Sequence, residues 1–560
     1  MGDFFLGVDE AFGGDLVRRS LEIPLGKRTR KYRFFEILPG AISYVGVLLL
    51  FLLSYFSPIA GAIYLLLIIS LTLVKAVGIA YRTYGGFNTL RDSERVDWAG
   101  RCMDLERPHE AYEKLHNRKS EAYGFYEHVR NVKMIISEPN AKEKFLKPSE
   151  VINAVIMVAY NEGIETMRPS IEAVRDTSFD NKRIVFVLGY EERGGEEIEK
   201  TALELKKMFK DVFKEFLVVK HPDGLKGEIK GKGPNLCFAA EELSRYLEKK
   251  HIDTERVMVT TIDSDNRMHE KYLDAVTYEY CVRDSETRQR CSYQPVCIFT
   301  NNIWDAAAPM RVIAVSNSFF NVIQTMRPHA LRNFASHSQP LKALQEMGYW
   351  SKRSIVEVGH QYWRSYFHFK GDYDVVPVRV SIGQDAVLNE TMGATLKAQF
   401  IQLRRWDYGA SDVAYVGNLL FSRKTEVPFW KTLPRFMRLL DSHVTGAMIA
   451  PIVALGGWVP MIMNLSDRGM VAFNLPMVVS VVQTVASVGI FITVLMSLRM
   501  LPERPKKYRR TKKIAMVLQW LLSPIIALVY SSAAAYYSQT RLMLGRYMEN
   551  FDVTRKVVKT

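Results

Sequence analysis

Two apolar runs, about Leu38–Phe56 and Ile59–Ala80, stand almost back to back near the start of this chain and leave it few ways to fold. Each is long enough to cross a hydrocarbon core of roughly 30 Å as a helix. In lipid a helix satisfies its own backbone polar groups, so a membrane hairpin is expected. Ser57-Pro58 between the runs suits a tight extracytoplasmic turn. The basic stretch Lys27–Arg33 before the first run and Arg82 after the second place both outer ends in the cytoplasm. The first run starts behind that basic segment rather than at the N-terminus, which does not fit a cleavable signal peptide.

The far end of the chain repeats the theme. Residues 427–441 alternate apolar and basic side chains, as a helix lying in the membrane interface would. Two spanning candidates follow, about Val444–Met463 and Leu475–Leu498. Pro502–Lys513 is dense in Lys and Arg and is expected in the cytoplasm. Ile514–Tyr537 is apolar enough to span but broken near its middle by Ser523-Pro524, so its residues fit either a crossing or a bent, re-entrant or interfacial element. The formal net charge of +15 therefore reads as a positive membrane face, and no nucleic-acid-binding module is readable. Five cysteines without metal-ligand spacing indicate unpaired thiols in a reducing compartment.

Between the membrane segments the pattern changes. Residues 83–150 read as a charged connector, helical around Glu110–Val132. From Val151 strands and helices alternate: strands at Val151–Ala159, Arg183–Leu188 and Phe216–Lys220, helices at Ile164–Asp176, Glu196–Phe213 and Asn235–Lys249. Such a series predicts a doubly wound, mostly parallel α/β sheet with its ligand edge at the C-terminal strand ends. The expected organisation is thus a cytoplasmic segment 1–37, a hairpin 38–82, the connector 83–150, an α/β domain 151–426, an interfacial helix 427–441, two spans in 442–500, a basic loop and Pro-broken segment 501–545, and a tail 546–560.

The most informative strand is Val257–Ile262, β-branched and apolar, which stops at Asp263-Ser264-Asp265. Two carboxylates two residues apart on extended backbone face the same way. At a strand end they suit a hard divalent cation, Mg²⁺ or Mn²⁺, that takes its remaining oxygens from water and a diphosphate.

Four other stretches accompany this pair: Tyr160-Asn161-Glu162 after the first strand, Glu357–Arg364, Gln402-Leu403-Arg404-Arg405-Trp406, and Phe551–Lys556. Together, as Asp-x-Asp followed by Gln-x-x-Arg-Trp between membrane segments, they resemble membrane-integrated family-2 glycosyltransferases of the cellulose, chitin and hyaluronan synthase type. The resemblance implies a GT-A-type nucleotide-sugar-binding domain. Tyr160, Asn161, Glu162 and Glu191 would meet the nucleoside, Lys232 phosphate or sugar, and Asp263 the ribose or donor sugar. Asp265, with Asp263, would hold the metal. Gln402, Arg405 and Trp406 would lie on the acceptor and diphosphate side. Phe551, Val553, Thr554 and Lys556 match a gating loop that closes over the nucleotide, which asks for a cytoplasmic tail.

One position departs from that family. Aligning on Gln361-Tyr362-Trp363-Arg364 puts Glu357 on the first residue of the family's acidic pair and Val358 on the second, where the acceptor hydroxyl's base belongs. Valine accepts no proton. Either the chain is an inactivated variant, or Glu357 or His360 takes the role, or the register shifts by one residue. The expected activity is inverting transfer from a nucleotide-diphosphate sugar, a UDP-sugar by resemblance, to a growing polysaccharide at the cytoplasmic face of the plasma membrane, coupled to export. Single transfer to a polyprenyl-phosphate or glycolipid acceptor and a silent nucleotide-binding scaffold are the alternatives, and a second copy or a partner subunit would complete a short channel.

Overall fold

The computed structural model describes residues 21–548 apart from 25, 424 and most of 465–493. Its centre is an eight-stranded sheet: β1 Ile152–Ala159, β2 Ile184–Glu191, β3 Glu215–His221, β4 Val257–Ile262, β5 Arg267–Met268, β6 Cys291–Phe299, β7 His337–Pro340 and β8 Asp374–Gln384, in the order β3-β2-β1-β4-β7-β6-β8-β5. The pairs β3–β2, β2–β1, β1–β4 and β6–β8 run parallel, and β4–β7, β7–β6 and β8–β5 antiparallel. This is the expected mostly parallel α/β sheet.

Strand periodicity builds its two faces. In β1, Val155, Met157 and Ala159 join the helices Ile164–Arg175 and Gly195–Phe209 through Met167, Ile171, Ala202 and Leu205. Ala154, Ile156 and Val158 face the helix Lys232–Lys249 through Leu236, Ala240 and Leu243. Burial on both faces explains the nearly unbroken apolar strands. Each fully buried Val or Ile here contributes about 1.5–3 kcal/mol of transfer free energy. Because β1, β2 and β4 are parallel, their C-terminal ends deliver residues 160–162, 191 and 263–265 to one edge.

Among the described residues four helices are long and apolar enough to cross a membrane: Arg30–Phe56, Pro58–Glu94, Phe429–Met463 and Lys512–Met543. The first two meet at Ser57, whose hydroxyl accepts the Ala60 N–H at 3.3 Å, with Pro58 opening the second helix. That second helix runs on to Glu94, beyond the expected end of the hairpin, and the connector's helical stretch divides into Pro108–Leu115 and Phe125–Ser137. The break expected near residue 441 is absent: Phe429–Leu455 is one continuous helix despite Pro434 and Pro451. Leu475–Leu498 lies mostly outside the described residues.

Ile514–Tyr537 sits in a helical stretch that carries 3₁₀ and π turns around Pro524. Both of its ends touch the α/β domain. At the start, Lys512 donates to the Trp304 carbonyl at 2.5 Å; at the end, Ser538 donates to the Arg404 carbonyl at 2.6 Å. Between them Ile514, Leu518, Leu521, Ile525 and Val529 form an exposed stripe at helical spacing, with Leu521 77% exposed, while Met516, Trp520 and Ile526 are buried on the other side. The same stretch packs on the first and third of the apolar helices, Tyr536 donating to the Ser43 carbonyl at 3.3 Å and Gln539 to the His443 carbonyl at 2.9 Å.

Candidate functional site

The β1 turn is tied by its own acid. Glu162 accepts the Tyr160 and Asn161 backbone N–H groups at 2.7 and 3.1 Å. Burial, with help from Asp265, raises its pKa against the pull of those hydrogen bonds. At the β2 end Glu191 is buried and ion-paired with Arg193, whose guanidinium lies 4.0 Å from the centre of the Tyr160 ring. A Cβ at Gly194 would come 1.9 Å from the Tyr160 carbonyl oxygen, so only glycine lets the two turns meet. Tyr160, Arg193 and Glu191 therefore make one fixed wall.

Lys232 opens the helix Lys232–Lys249, three residues before the expected start at Asn235, with Pro234 tolerated in the first turn. A Cβ at Gly233 would come 2.4 Å from the Ser351 carbonyl oxygen, which seats that turn against the segment leading to Glu357. The Lys232 ammonium bonds the Asp263 carboxylate at 2.5 Å and stands 3.7 Å from Glu357. Burial alone would lower the lysine's pKa; Asp263 and Glu357 outweigh it and hold the pKa above its usual value. Burial raises the Glu357 carboxyl, with Lys232 and Arg405 opposing.

Asp265 is anchored differently. The Asp385 backbone N–H donates to its Oδ2 at 3.1 Å, and Asn301 donates to its carbonyl at 2.9 Å. Both aspartates line one cavity of about 680 Å³. No cluster of three or more His, Cys, Asp and Glu side chains suited to a metal exists among the described residues. The donor set is thus two carboxylates with room beside them. That chemistry fits a hard cation completing its shell with phosphate and water.

Gln402, Arg405 and Trp406, from the helix Met392–Asp407, line the same cavity, with Arg405 close enough to Lys232 and Glu357 to act on both charges. Gln402 is held by Gln399 at 3.1 Å, and Trp406 is 38% exposed. Arg404 turns away, over the Tyr537 ring. Tyr160, Asn161, Glu162, Glu191, Lys232, Asp263, Asp265, Glu357, Gln402, Arg405 and Trp406 all meet in this cavity. His360 does not line it: the ring is buried, with Nδ1 2.7 Å from Asp412. Phe551, Val553, Thr554 and Lys556 lie outside the described residues.

Sequence reading missed several lining residues, among them Arg332, Leu439, His443 and Asp412. Only Asp412 carried a readable signal, an acid six residues after Trp406. Arg332 falls in a stretch of the α/β domain for which no element was expected, Leu439 in the expected interfacial helix and His443 at the start of the expected spans.

No family model and no curated protein sequence matches the chain. Solved structures with a similar arrangement include the mannosyltransferase PcManGT from Pyrobaculum calidifontis in complex with GDP-Man and Mn²⁺, at 12% identity and TM-score 0.41 over 72% of this chain and 98% of that one. TarS residues 1–349 from S. aureus in complex with UDP-GlcNAc is similar at 11% identity and TM-score 0.29, over 58% of this chain and 92% of that one. The same protein in complex with UDP is similar at 10% identity and TM-score 0.33, over 71% and 93%.

Proposed function

We propose that this chain is a membrane-bound inverting glycosyltransferase that moves a sugar from a nucleotide-diphosphate donor to a growing glycan at the cytoplasmic face. The observation that carries the reading is the meeting of Asp263, Asp265 and Lys232 with Gln402, Arg405 and Trp406 in one cavity, beside a helix apolar enough to span a bilayer. Glycosyl transfer needs that combination: a seat for the nucleoside, charge against the departing diphosphate, and a surface for the acceptor.

The Tyr160–Arg193–Glu191 wall suits the nucleoside end. Lys232, at a helix N-terminus, favours phosphate through its charge and the helix's free N–H groups. Asp265 and Asp263 would hold Mg²⁺ or Mn²⁺, which when bound neutralises the negative charge that develops on the diphosphate. Arg405 adds a fork of donors on the same side as Glu357 and Lys232. Trp406 offers the acceptor sugar a flat apolar face. Inversion follows from one displacement: the acceptor hydroxyl attacks the anomeric carbon opposite the leaving diphosphate.

A second reading, one transfer to a lipid-linked acceptor such as a polyprenyl phosphate, is favoured by Leu439 and His443. Both belong to the long apolar helix and line the cavity. Purified protein in lipid with radiolabelled donors separates the two. A size ladder supports the polymer, and one organic-soluble product supports the lipid acceptor. Absence of any melting shift with Mn²⁺ and nucleoside diphosphates would remove both readings, because a ligand of the folded state must stabilise it.

A further inference from the structure

We infer that Asp412, positioned by His360, is the base that deprotonates the acceptor hydroxyl in place of the carboxylate missing at Val358. This rests on the transferase reading above and supplies the step that reading leaves without a residue.

Glu357 lines the cavity but is drawn towards the donor-side lysine, and His360 does not line the cavity at all. Glu357 is engaged on the donor side, 3.7 Å from the Lys232 ammonium that also holds Asp263. His360 is fully buried, outside the cavity, and its Nε2 has no hydrogen-bond partner among the described residues. Asp412, from the helix Ser411–Leu420, does line the cavity, together with Val358, Gly359 and Trp406. Its Oδ1 accepts from His360 Nδ1 at 2.7 Å. Its Oδ2 accepts no protein hydrogen bond among the described residues and lies 3.9 Å from where a Gly359 Cβ would stand, one residue from Val358.

The division of labour follows from this geometry. The imidazole N–H fixes one carboxylate oxygen and leaves the other facing the cavity at the level of residue 358. In the step, Asp412 Oδ2 takes the acceptor hydroxyl's proton while that oxygen bonds the anomeric carbon. The bond from that carbon to the diphosphate breaks, and the nucleoside diphosphate leaves with the electron pair. The proton stays on Asp412 until the product has moved. His360 is a positioning residue, since it touches only Asp412 and the surrounding core. The other titratable or charged groups facing Asp412 are Tyr32, Tyr415 and Arg332.

The test uses the full chain in lipid with Mn²⁺ and a panel of radiolabelled nucleotide-diphosphate sugars, UDP-linked ones first. Asp412→Asn is expected to lower kcat by about 100-fold or more, the range for loss of a general base. The melting shift given by Mn²⁺ with the nucleoside diphosphate should be unchanged. Asp412→Glu should retain part of the rate and displace the acid limb of the kcat–pH profile. Transfer by Asp412→Asn within about threefold of the natural chain overturns the inference, and so does loss of the nucleotide melting shift, which marks a structural role. Val358→Asp in the otherwise unchanged chain decides even where Asp412→Asn does not fold. No gain is expected if Asp412 already takes the proton; a gain of about 100-fold shows a chain lacking its base and overturns the inference while leaving the transferase reading intact. No product from the natural chain or from Val358→Asp, with no melting shift by any nucleoside diphosphate, refutes that reading and this inference with it.

Discussion

Lys232→Met tests the donor side most directly. Methionine keeps the length of the apolar stem and removes the charge between Asp263 and Glu357. The two carboxylates differ in exposure: the Glu357 side chain is 7% exposed and Asp263 37%. Removing one partner from a buried ion pair costs about 3–5 kcal/mol. Glu357 has an escape, since it can take up a proton. At pH 7 that escape costs roughly 1.36 kcal/mol for each of about 2.7 pH units, or about 3.7 kcal/mol, which caps the loss. Asp263 adds only about 0–1 kcal/mol, because water screens it. The variant also loses the burial penalty that the ammonium itself carried, so the net destabilisation is about 2–3 kcal/mol. In a domain of this size that lowers Tm on the order of 5 °C. The sign with pH follows. In the variant the Glu357 pKa rises further above its unfolded value, so the folded chain binds more protons than the unfolded chain in the window between the two. The deficit relative to the natural chain therefore grows as pH rises through that window and closes in acid. Adding Glu357→Gln to the variant should recover most of the loss, read by differential scanning fluorimetry in detergent across pH 5–8. A Lys232→Met chain as stable as the natural one at pH 7.5, or a Gln substitution that restores nothing, would refute the coupling of these three side chains.

Three further outcomes are expected. Gly194→Ala forces a Cβ into the space where the Tyr160 carbonyl oxygen lies 1.9 Å away, so it should cost about 1–3 kcal/mol and weaken nucleoside-diphosphate binding at least about tenfold, measured by calorimetry. Asp407 is partly buried, and burial pushes its pKa up to about 7. Stability should then fall as pH rises from about 4 to 7, by at most about 4 kcal/mol, and Asp407→Asn should flatten that slope and raise Tm at pH 8. All five cysteines are buried, with burial raising the thiols of Cys237 and Cys297 to about 12 and Cys291 to about 11. Thiol reagents at pH 8 should label the folded chain negligibly and five sites after denaturation.

The half of the domain that carries Tyr160, Glu191 and Asp263 was legible because each of its strands obeys a simple rule. β1, β2 and β4 are apolar on both faces and end at polar residues, so periodicity located their starts within a residue, although β2 runs three residues past the expected Leu188 to Glu191. The second half resisted for equally physical reasons. β6 carries Pro295 and β8 carries Pro377, and proline inside a run argues against a strand. The structure accommodates them where the β6–β8 register shifts between Gln294 and Val296. β7 is His337-Ser338-Gln339-Pro340, buried but polar, with Ser338 bonded to Thr260 and Gln339 to Tyr373. Nothing local marks such a segment as a strand; its partners lie far away in the sequence. The position of His360 was hidden similarly, since a helix of known phase does not say which neighbour covers its far face until the helix Ser411–Leu420 is in place.

The two sides of the cavity are held in different ways, and that difference bears on what each can bind. On the donor side every group is fixed by protein: Glu162 by its own turn, Glu191 by Arg193, Asp265 by the Asp385 N–H, Lys232 by Asp263. Such groups are pre-organised, so little ordering is left to be done when a diphosphate arrives, and selectivity there can be strict. Around Trp406 the walls add the apolar side chains Phe320 and Leu439 to Gln402, held by Gln399, and Asp412, held by His360. An apolar wall grips a sugar face or a lipid tail without fixing hydroxyl positions, so it tolerates an acceptor that slides. Transfer to successive residues of a chain needs that tolerance, and transfer to a single lipid headgroup does not. Replacing Trp406 by alanine should therefore raise the acceptor KM about tenfold or more while leaving donor affinity unchanged. An equal loss in both would mean that the two sides are not independent.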